Sequence, residues 1–208
     1  MNKGFFISLE GGEGAGKSTQ NKHIVEWLST RGHDVVETRE PGGTIISEQI
    51  RRLLLDTRNQ GLNAISELLL MFAARSQLIQ EVILPALTAG KVVVCDRFAD
   101  ASYAYQGGGR QLGAGTVAIV EKLVLGNLQP DLTLLFDIPV KLGMKRVAGR
   151  GQADRFETET VRFFERVRSA YLERAAADPQ RFRVVDASRD EVQVREQVEQ
   201  ILQKRMGE

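Results

Sequence analysis

The chain has 208 residues, a length typical of one α/β domain, and its 28 basic and 27 acidic residues give a formal net charge of +1. This balance argues against a surface that binds polyanions through bulk charge, and an aromatic content of 6% argues against stacking on long single strands of nucleic acid. The single cysteine, Cys95, cannot form an internal disulfide, and no signal peptide is recognised, so we expect a cytoplasmic protein. The contiguous apolar runs are far shorter than the ~20 residues that span a bilayer. We therefore expect neither a membrane nor a nucleic acid as partner.

Short apolar segments rich in β-branched residues alternate with longer helical patterns along the chain. Strands are predicted at 5–10, 34–39, 91–96, 131–137 and 182–187. Helices are predicted at 16–31, 45–57, 64–89, 99–105, 115–126, 139–149, 158–177 and 190–205. Nearly continuous apolar runs suit strands that are buried on both faces, so the pattern predicts one α/β domain over 1–208, with a parallel sheet between two helical layers. The polar, basic segment 146–156 is predicted to be a mobile flap.

The first predicted strand leads into GGEGAGKST at 11–19, which matches the P-loop pattern. Backbone amides of such a loop, together with the N-terminus of the following helix, favour phosphate oxygens. The predicted phosphate-binding residues are Gly11, Gly12, Glu13, Gly14, Ala15, Gly16, Lys17, Ser18 and Thr19. Lys17 would reach the β- and γ-phosphates, and the Ser18 hydroxyl would ligate Mg²⁺. The pattern alone does not separate kinases from GTPases or ATPases, although the lack of an NKxD-type stretch weighs against a GTPase.

Asp96 ends the third predicted strand and is a candidate to hold Mg²⁺ through water. Its alternative roles are a helix N-cap or an internal partner for Arg97.

Arginines follow the second and third predicted strands, at Arg39 and Arg97, and another, Arg51, lies in the next helix after Arg39. Ligands bind at this carboxyl edge in open parallel sheets, and a planar guanidinium suits phosphate oxygens. A second set of cations beside the P-loop predicts two phosphorylated ligands, and therefore transfer rather than hydrolysis. The alternative for each is a local ion pair, Arg39 with Glu40 and Arg51 with Glu48.

Taken together, GGEGAGKST, REPGGT, DRF with SYAYQGGGR behind it, PDLTLLFDIP and RGQADRFE resemble the bacterial thymidylate kinase family in order and spacing, over nearly the whole chain. The resemblance implies a P-loop kinase fold with a five-stranded parallel sheet, helices on both faces and a short arginine-bearing lid at about 146–156. It also implies a homodimer that uses Mg²⁺ and transfers the γ-phosphoryl group of ATP to dTMP, giving dTDP and ADP.

The same resemblance assigns roles to individual residues on the dTMP side. Glu13 would lie near the sugar 3′-hydroxyl, and Tyr105 would crowd the 2′ position. Arg75 would read thymine O4, and Gln106 or Ser102 would meet the N3 edge. The remaining dTMP-binding assignments are Arg39, Arg51, Arg97, Phe72 and Pro41, the last of which would follow a cis peptide bond.

Catalysis is expected from Lys17 and Arg97 with lid arginines, since the P-loop contains no arginine. Arg150, with Arg146 or Arg155, resembles the lid arginines of the family. One departure concerns the aromatic residue that usually lies four positions before the base-reading arginine. Met71 occupies that position here, and Phe72 lies three before Arg75. Spacings of three and four share a helix face, so Phe72 is kept as the stacking candidate and Met71 remains the alternative.

Two other functions remain open from the sequence. The first is a kinase for a deoxynucleoside or for a different nucleoside monophosphate, which a panel of acceptors would identify. The second is a non-catalytic ATP-binding adaptor or switch, which ATP turnover dependent on an added monophosphate would exclude.

Overall fold

The computed structural model describes residues 4–148 and 154–207. Its strands are β1 (Phe5–Gly11), β2 (Val35–Arg39), β3 (Val92–Asp96), β4 (Leu132–Asp137) and β5 (Phe182–Asp186). They form one parallel sheet in the order β2-β3-β1-β4-β5. The predicted strands agree with these bounds to within one residue, and the predicted five-stranded parallel fold is confirmed.

The α-helices are α1 (Lys17–Thr30), α2 (Ile45–Leu55), α3 (Ala64–Leu78), α4 (Leu84–Thr88), α5 (Ala99–Ser102), α6 (Ala114–Leu125), α7 (Val140–Val147), α8 (Val161–Ala177) and α9 (Glu191–Met206). Side-chain caps account for several starts, because Thr44, Asn63, Thr160 and Asp190 each accept a backbone N–H from the first turn that follows. The Thr160 cap explains why α8 begins later than the predicted 158.

Two π-helical segments interrupt the regular pattern, at Ile79–Ile83 and Tyr103–Gly109. The first joins α3 to α4, so the predicted helix 64–89 is continuous over Ala64–Thr88. The second extends α5 beyond its predicted end and carries two predicted site residues, Tyr105 and Gln106. Segments of this kind occur frequently at functional sites.

Both faces of the sheet are covered, as the continuous apolar strands predict. One hydrophobic cluster joins the sheet to α1 and α9 through residues such as Trp27, Leu28 and Val198. Two further clusters lie on the opposite face, where α3 and α8 contribute Phe72 and Phe163. The burial of these layers leaves the carboxyl edge of the sheet as the place where loops can form a cavity.

The stretch Ala64–Thr88 is also long and apolar enough to cross a membrane by length and composition. The sequence expectation considered only contiguous apolar runs and overlooked this helix. Glu67 and Arg75 within it are buried and form ion pairs with residues of other elements. The helix is therefore a core element of the folded domain.

Candidate active site

A cavity of about 330 Å³ opens at the carboxyl edge of the sheet. Predicted site residues that line it are Glu13, Gly14, Ala15, Gly16, Lys17, Ser18, Thr19, Arg39, Pro41, Arg51, Arg75, Asp96, Arg97, Ser102, Tyr105 and Gln106. Gly11 and Gly12 border a separate small cavity behind the loop. The fold thus brings the predicted phosphate loop and the predicted second cation set to one cavity.

The P-loop wraps tightly because its glycines adopt backbone angles that other residues avoid. Gly14 has φ +71° and Gly16 has φ +81° immediately before α1. The Lys17 Nζ donates to the carbonyl oxygens of Gly11, at 3.0 Å, and Gly12, at 3.2 Å. Burial, followed by the nearby charge of Arg97, lowers the pKa of Lys17. The two hydrogen bonds hold the Lys17 ammonium group at the loop, beside the backbone amides that would bind a polyphosphate.

Arg97 crosses from β3 to the P-loop and adopts a left-handed backbone with φ +69°, which is uncommon for a residue with a side chain. Its guanidinium lies 2.8 Å from Glu13 Oε1 and donates to the carbonyl oxygen of Gly11 at 2.9 Å. The Tyr105 hydroxyl also donates to Glu13 Oε1, at 2.8 Å. Asp96 is thus not the partner of Arg97.

Burial alone would raise the pKa of Glu13, but Arg97, Lys17 and the Tyr105 hydroxyl lower it below its usual value. This carboxylate is therefore held ionised in the cavity wall, where it can accept a hydroxyl proton in a hydrogen bond.

The base-reading candidate, Arg75, is 2% exposed and held by three partners. Its Nε donates to Glu40 at 2.7 Å, its Nη1 to Ser102 Oγ at 3.1 Å and its Nη2 to the carbonyl oxygen of Phe98 at 3.0 Å. Nη2 also lies 2.7 Å from Glu40 Oε2, so of the five N–H donors of the guanidinium one, on Nη1, remains for a ligand. Burial raises the pKa of Glu40, while Arg75 opposes that effect.

The local ion pairs considered from the sequence do not form as expected. Glu40 pairs with Arg75, and Arg39 instead pairs with Glu48 at 2.9 Å. Arg51 donates to the carbonyl oxygen of Pro41 at 2.7 Å. The peptide bond between Glu40 and Pro41 is cis, as the resemblance implies.

The structure corrects the assignment of Phe72 to the base pocket. The Phe72 ring is 1% exposed, belongs to the hydrophobic core and lies beneath the Arg75 guanidinium, 4.4 Å from its centre. Met71 lines the cavity instead. Successive helical residues differ by about 100° in direction, so a shift of one position exchanges a cavity wall for the core.

The three lid arginines have different surroundings. Arg146 donates from Nη1 to the carbonyl oxygen of Ala187 at 2.7 Å and from Nη2 to those of Ser188 and Arg189, so it braces the loop after β5. Arg155 is buried, donating to the carbonyl oxygen of Leu54 and to Glu67 at 2.6 Å, and does not line the cavity. In this arrangement Arg155 is a structural partner rather than a group that reaches a transferring phosphate. Arg150 lies outside the described residues.

Asp96 offers a test of the predicted magnesium site. Its Oδ1 is buried and has no hydrogen-bond partner among the described residues, although it faces a polar cavity. The Ser18 hydroxyl lines the same cavity. An oxygen-only donor set with room for water is what Mg²⁺ prefers, so these two residues fit that ion.

Sequence reasoning overlooked two buried carboxylates, Glu10 in β1 and Glu67 in α3. Glu10 accepts the Phe98 N–H at 2.7 Å and the Tyr171 hydroxyl at 2.7 Å, and burial is the main cause that raises its pKa to about 8. The available signal was a charged residue within an apolar strand or helix, since such a residue is rarely buried without a partner.

Comparisons with known proteins point to one family. A family model described as thymidylate kinase matches residues 9–198. The thymidylate kinase of Ectopseudomonas mendocina (strain ymp) is 55% identical over 199 residues, covering 96% of this chain and 95% of that protein. That of Pseudomonas savastanoi pv. phaseolicola is 53% identical with the same coverage. The crystal structure of thymidylate kinase from Ehrlichia chaffeensis superposes with a TM-score of 0.79 and 34% identity, over 96% of this chain and 98% of that one.

Proposed function

Because the chain belongs to the thymidylate kinase family, we propose that it transfers the γ-phosphoryl group of ATP to dTMP, giving dTDP and ADP for dTTP synthesis. The observation that carries this function is the single cavity that joins the P-loop, Gly14–Thr19, to a second set of cations at Arg39, Arg51 and Arg97. One set would hold the donor phosphates and the other the acceptor phosphate. A hydrolase requires only the first.

The reaction needs little from a general base, because the attacking dTMP phosphate oxygen is already anionic at neutral pH. The work left to the protein is in-line positioning and neutralisation of charge on the transferring group. Lys17 and the P-loop amides serve the donor side, and Arg97 lies between the two sides against Glu13. Mg²⁺, held by Ser18 and through water by Asp96, would neutralise further charge on the donor phosphates.

The pocket around Arg75 favours thymine over cytosine. The remaining guanidinium N–H of Arg75 matches the O4 acceptor of thymine, whereas cytosine presents an amino donor there. Buried donors left without acceptors are costly, so dCMP is a poor acceptor. Because the 5-methyl group contributes only about 1–3 kcal/mol, dUMP is a slow but real substrate.

Tyr105 and Glu13 act together at the sugar. The Tyr105 ring stands against Arg97 at 4.8 Å, and its hydroxyl donates to Glu13. A deoxyribose whose 3′-hydroxyl meets Glu13 leaves its C2′ beside this ring, so an added 2′-hydroxyl would be crowded. UMP and other ribonucleotides are therefore disfavoured.

A lid of about 146–156 closes over the phosphates and supplies Arg150 to the transferring group. Arg146, which donates to the carbonyl oxygen of Ala187, would support the loop after β5, where 186–188 would contact adenine. Closure excludes water and so limits wasteful hydrolysis of ATP.

The protein acts as a cytoplasmic homodimer, with no membrane or nucleic-acid polymer as partner. The interface is formed by α3 and α6, which expose the apolar residues Ile65, Leu69, Ile119 and Leu123. Leu123 is 85% exposed and Ile119 75%, and each helix repeats its apolar residues four positions apart, on one side. Such a face favours association with a second copy.

The deciding experiment is ADP release with ATP and Mg²⁺, comparing dTMP, dUMP, dCMP, dGMP and UMP as acceptors. We expect dTMP to be fastest, dUMP slower and the others negligible. Faster turnover with another monophosphate would retain a kinase and reject the thymine pocket. The absence of acceptor-dependent ADP release with every monophosphate would support a non-catalytic ATP-binding adaptor or switch instead.

A further inference from the structure

Glu67 lies at the centre of a buried polar cluster that includes Gln106 of the cavity wall and Arg155 of the predicted lid segment. It is fully buried in α3, and its two oxygens accept from three side chains. Gln106 Nε2 donates at 2.8 Å, Arg155 Nη2 at 2.6 Å and Arg110 Nε to both oxygens at 3.1 and 3.2 Å. We propose that Glu67 is a positioning residue for base selection, because it orients the Gln106 amide in the dTMP pocket.

The orientation of that amide follows from donor and acceptor chemistry. A carboxylate between two guanidinium groups can only accept hydrogen bonds, so the Gln106 nitrogen must face Glu67. The Gln106 Oε1 accepts no hydrogen bond from the described residues, and the side chain lines the cavity. The amide therefore presents an acceptor to a bound base.

An acceptor at this place separates the two pyrimidines. The ring N3 of thymine carries a proton, whereas N3 of cytosine is an acceptor. This inference rests on the proposed function and takes Gln106, one of the two candidates from the sequence, as the residue that meets the N3 edge. Glu67 would not touch the substrate, but through Gln106 it would determine which base is accepted.

Replacing Glu67 by glutamine would reverse the amide. The substitution leaves one acceptor oxygen where two were used, and both arginines carry charge that competes for it. The oxygen would face the arginines and the new NH₂ group would face Gln106. Gln106 must then turn its own oxygen inward and present a donor to the cavity, which matches cytosine N3 rather than thymine N3–H.

The test measures kcat/KM for dTMP and for dCMP in the full chain with ATP and Mg²⁺. We expect Glu67→Gln to lower the dTMP:dCMP ratio by about 10- to 100-fold, the scale of one mismatched buried hydrogen bond. The KM for ATP should stay the same. A folded variant that loses activity equally with both acceptors would overturn the proposal, because a merely structural role predicts that result.

A double variant, Glu67→Gln with Gln106→Glu, provides the rescue. The amide at position 67 would then donate to a carboxylate at position 106, whose second oxygen again offers an acceptor to the base. The dTMP:dCMP ratio should return toward that of the wild type. Because the total charge is unchanged, this variant also decides the matter if the single variant does not fold, and a folded double variant with a low ratio would contradict the proposal.

Asp100→Asn is the matched control. Asp100 is also a buried carboxylate paired with two arginines, Arg174 and Arg181, but it has no contact with Gln106 in the described hydrogen-bond network. The Asp100→Asn substitution should lower the free energy of unfolding without changing the dTMP:dCMP ratio of kcat/KM. A changed ratio in this control would show that the effect of Glu67→Gln is not specific to the contact with Gln106. The wild type distinguishes failure of the proposed function from failure of the role of Glu67. If the wild type does not turn over dTMP, the proposed function is rejected, and this inference with it.

Discussion

Gly143 in α7 lies directly against the backbone of Glu13, so that a Cβ at position 143 would be only 2.3 Å from the Glu13 carbonyl oxygen. The contact is reciprocal, since a Cβ on Gly14 would lie 2.2 Å from the carbonyl oxygen of Gly143. The two glycines, Gly14 and Gly143, therefore allow α7 to pack directly against the backbone of the P-loop. The shape of the phosphate site depends on a helix that begins more than a hundred residues later in the chain.

Gly143→Ala should consequently distort the P-loop. Overpacking of a close backbone contact costs about 1–3 kcal/mol of stability, and we expect an increased KM for ATP as well. Urea unfolding and steady-state kinetics would measure both. Gly115→Ala is the control, because nothing lies within 4 Å of a Cβ at that position in α6, and a gain of about 0.5–1 kcal/mol is expected there. An unchanged KM with Gly143→Ala would show that the loop does not depend on this contact.

Arg97→Gln should reduce kcat/KM for dTMP by about 10²–10³, the cost of removing one charge-stabilising donor from a site of this kind. The physical reason is that Arg97 holds its positive charge against the P-loop, through Gly11 and Glu13, in the cavity where the phosphoryl group would be transferred. Steady-state kinetics at saturating ATP would test it. Arg195→Gln, which breaks only an exposed pair with Glu199, should leave the rate as it is. A comparable loss in both variants would point to a general effect of lost charge.

Stability should fall as pH rises through the range in which Glu10 titrates. Burial, then the nearby charge of Asp100, raises the pKa of Glu10 from its usual 4.5 to about 8. Between these values the unfolded chain releases the proton and the folded chain retains it, so the contribution is fully present below pH 4.5 and is lost as pH rises through about 8.

Glu10→Gln should flatten that dependence. The amide keeps an acceptor for the Phe98 N–H and cannot ionise. Denaturant unfolding should be measured at acidic, neutral and mildly alkaline pH. As pH rises, the free energy of unfolding of the variant should increase relative to that of the wild type, by on the order of 3 kcal/mol. Parallel stability curves for the two proteins would contradict a raised pKa at Glu10.

The lid arginines should separate into a catalytic and a structural residue. Arg150→Gln is expected to lower kcat by about 10³ while leaving thermal stability unchanged, as for an arginine finger. Arg155→Gln leaves Glu67 short of a buried cationic partner and should cost about 3–5 kcal/mol of stability. Thermal unfolding and kcat, measured on both variants, give the answer. The assignment is reversed if Arg155→Gln folds normally and loses only kcat.

Leu123→Glu should convert the proposed dimer to monomers, because it places a charge in an apolar interface. Light scattering on a sizing column would measure the mass of each species. Val192→Glu, at an exposed apolar position on α9, serves as the control and should remain dimeric. A wild-type protein that elutes as a monomer at all concentrations would reject the interface.

Much of the architecture was predictable because its signals are local. Continuous β-branched runs and the spacing from Gly11 to Ser18 each depend on neighbouring residues, and the predicted strands match the structure closely. Ion pairing was less predictable. Arg39 has Glu40 beside it in the chain, but successive side chains of an extended segment point in opposite directions, and the structure pairs Glu40 with Arg75 instead.

The sequence by itself determined the parallel α/β fold and the P-loop, because periodicity and motif spacing are properties of a single segment. Only the tertiary structure decided that Met71 rather than Phe72 lines the cavity, that Arg155 is buried against Glu67, and that Glu67 meets Gln106. Each of these depends on the rotation of one helix relative to another, which is settled by packing between elements that are distant in the chain. A difference of one helical position, about 100°, is enough to exchange a binding residue for a core residue.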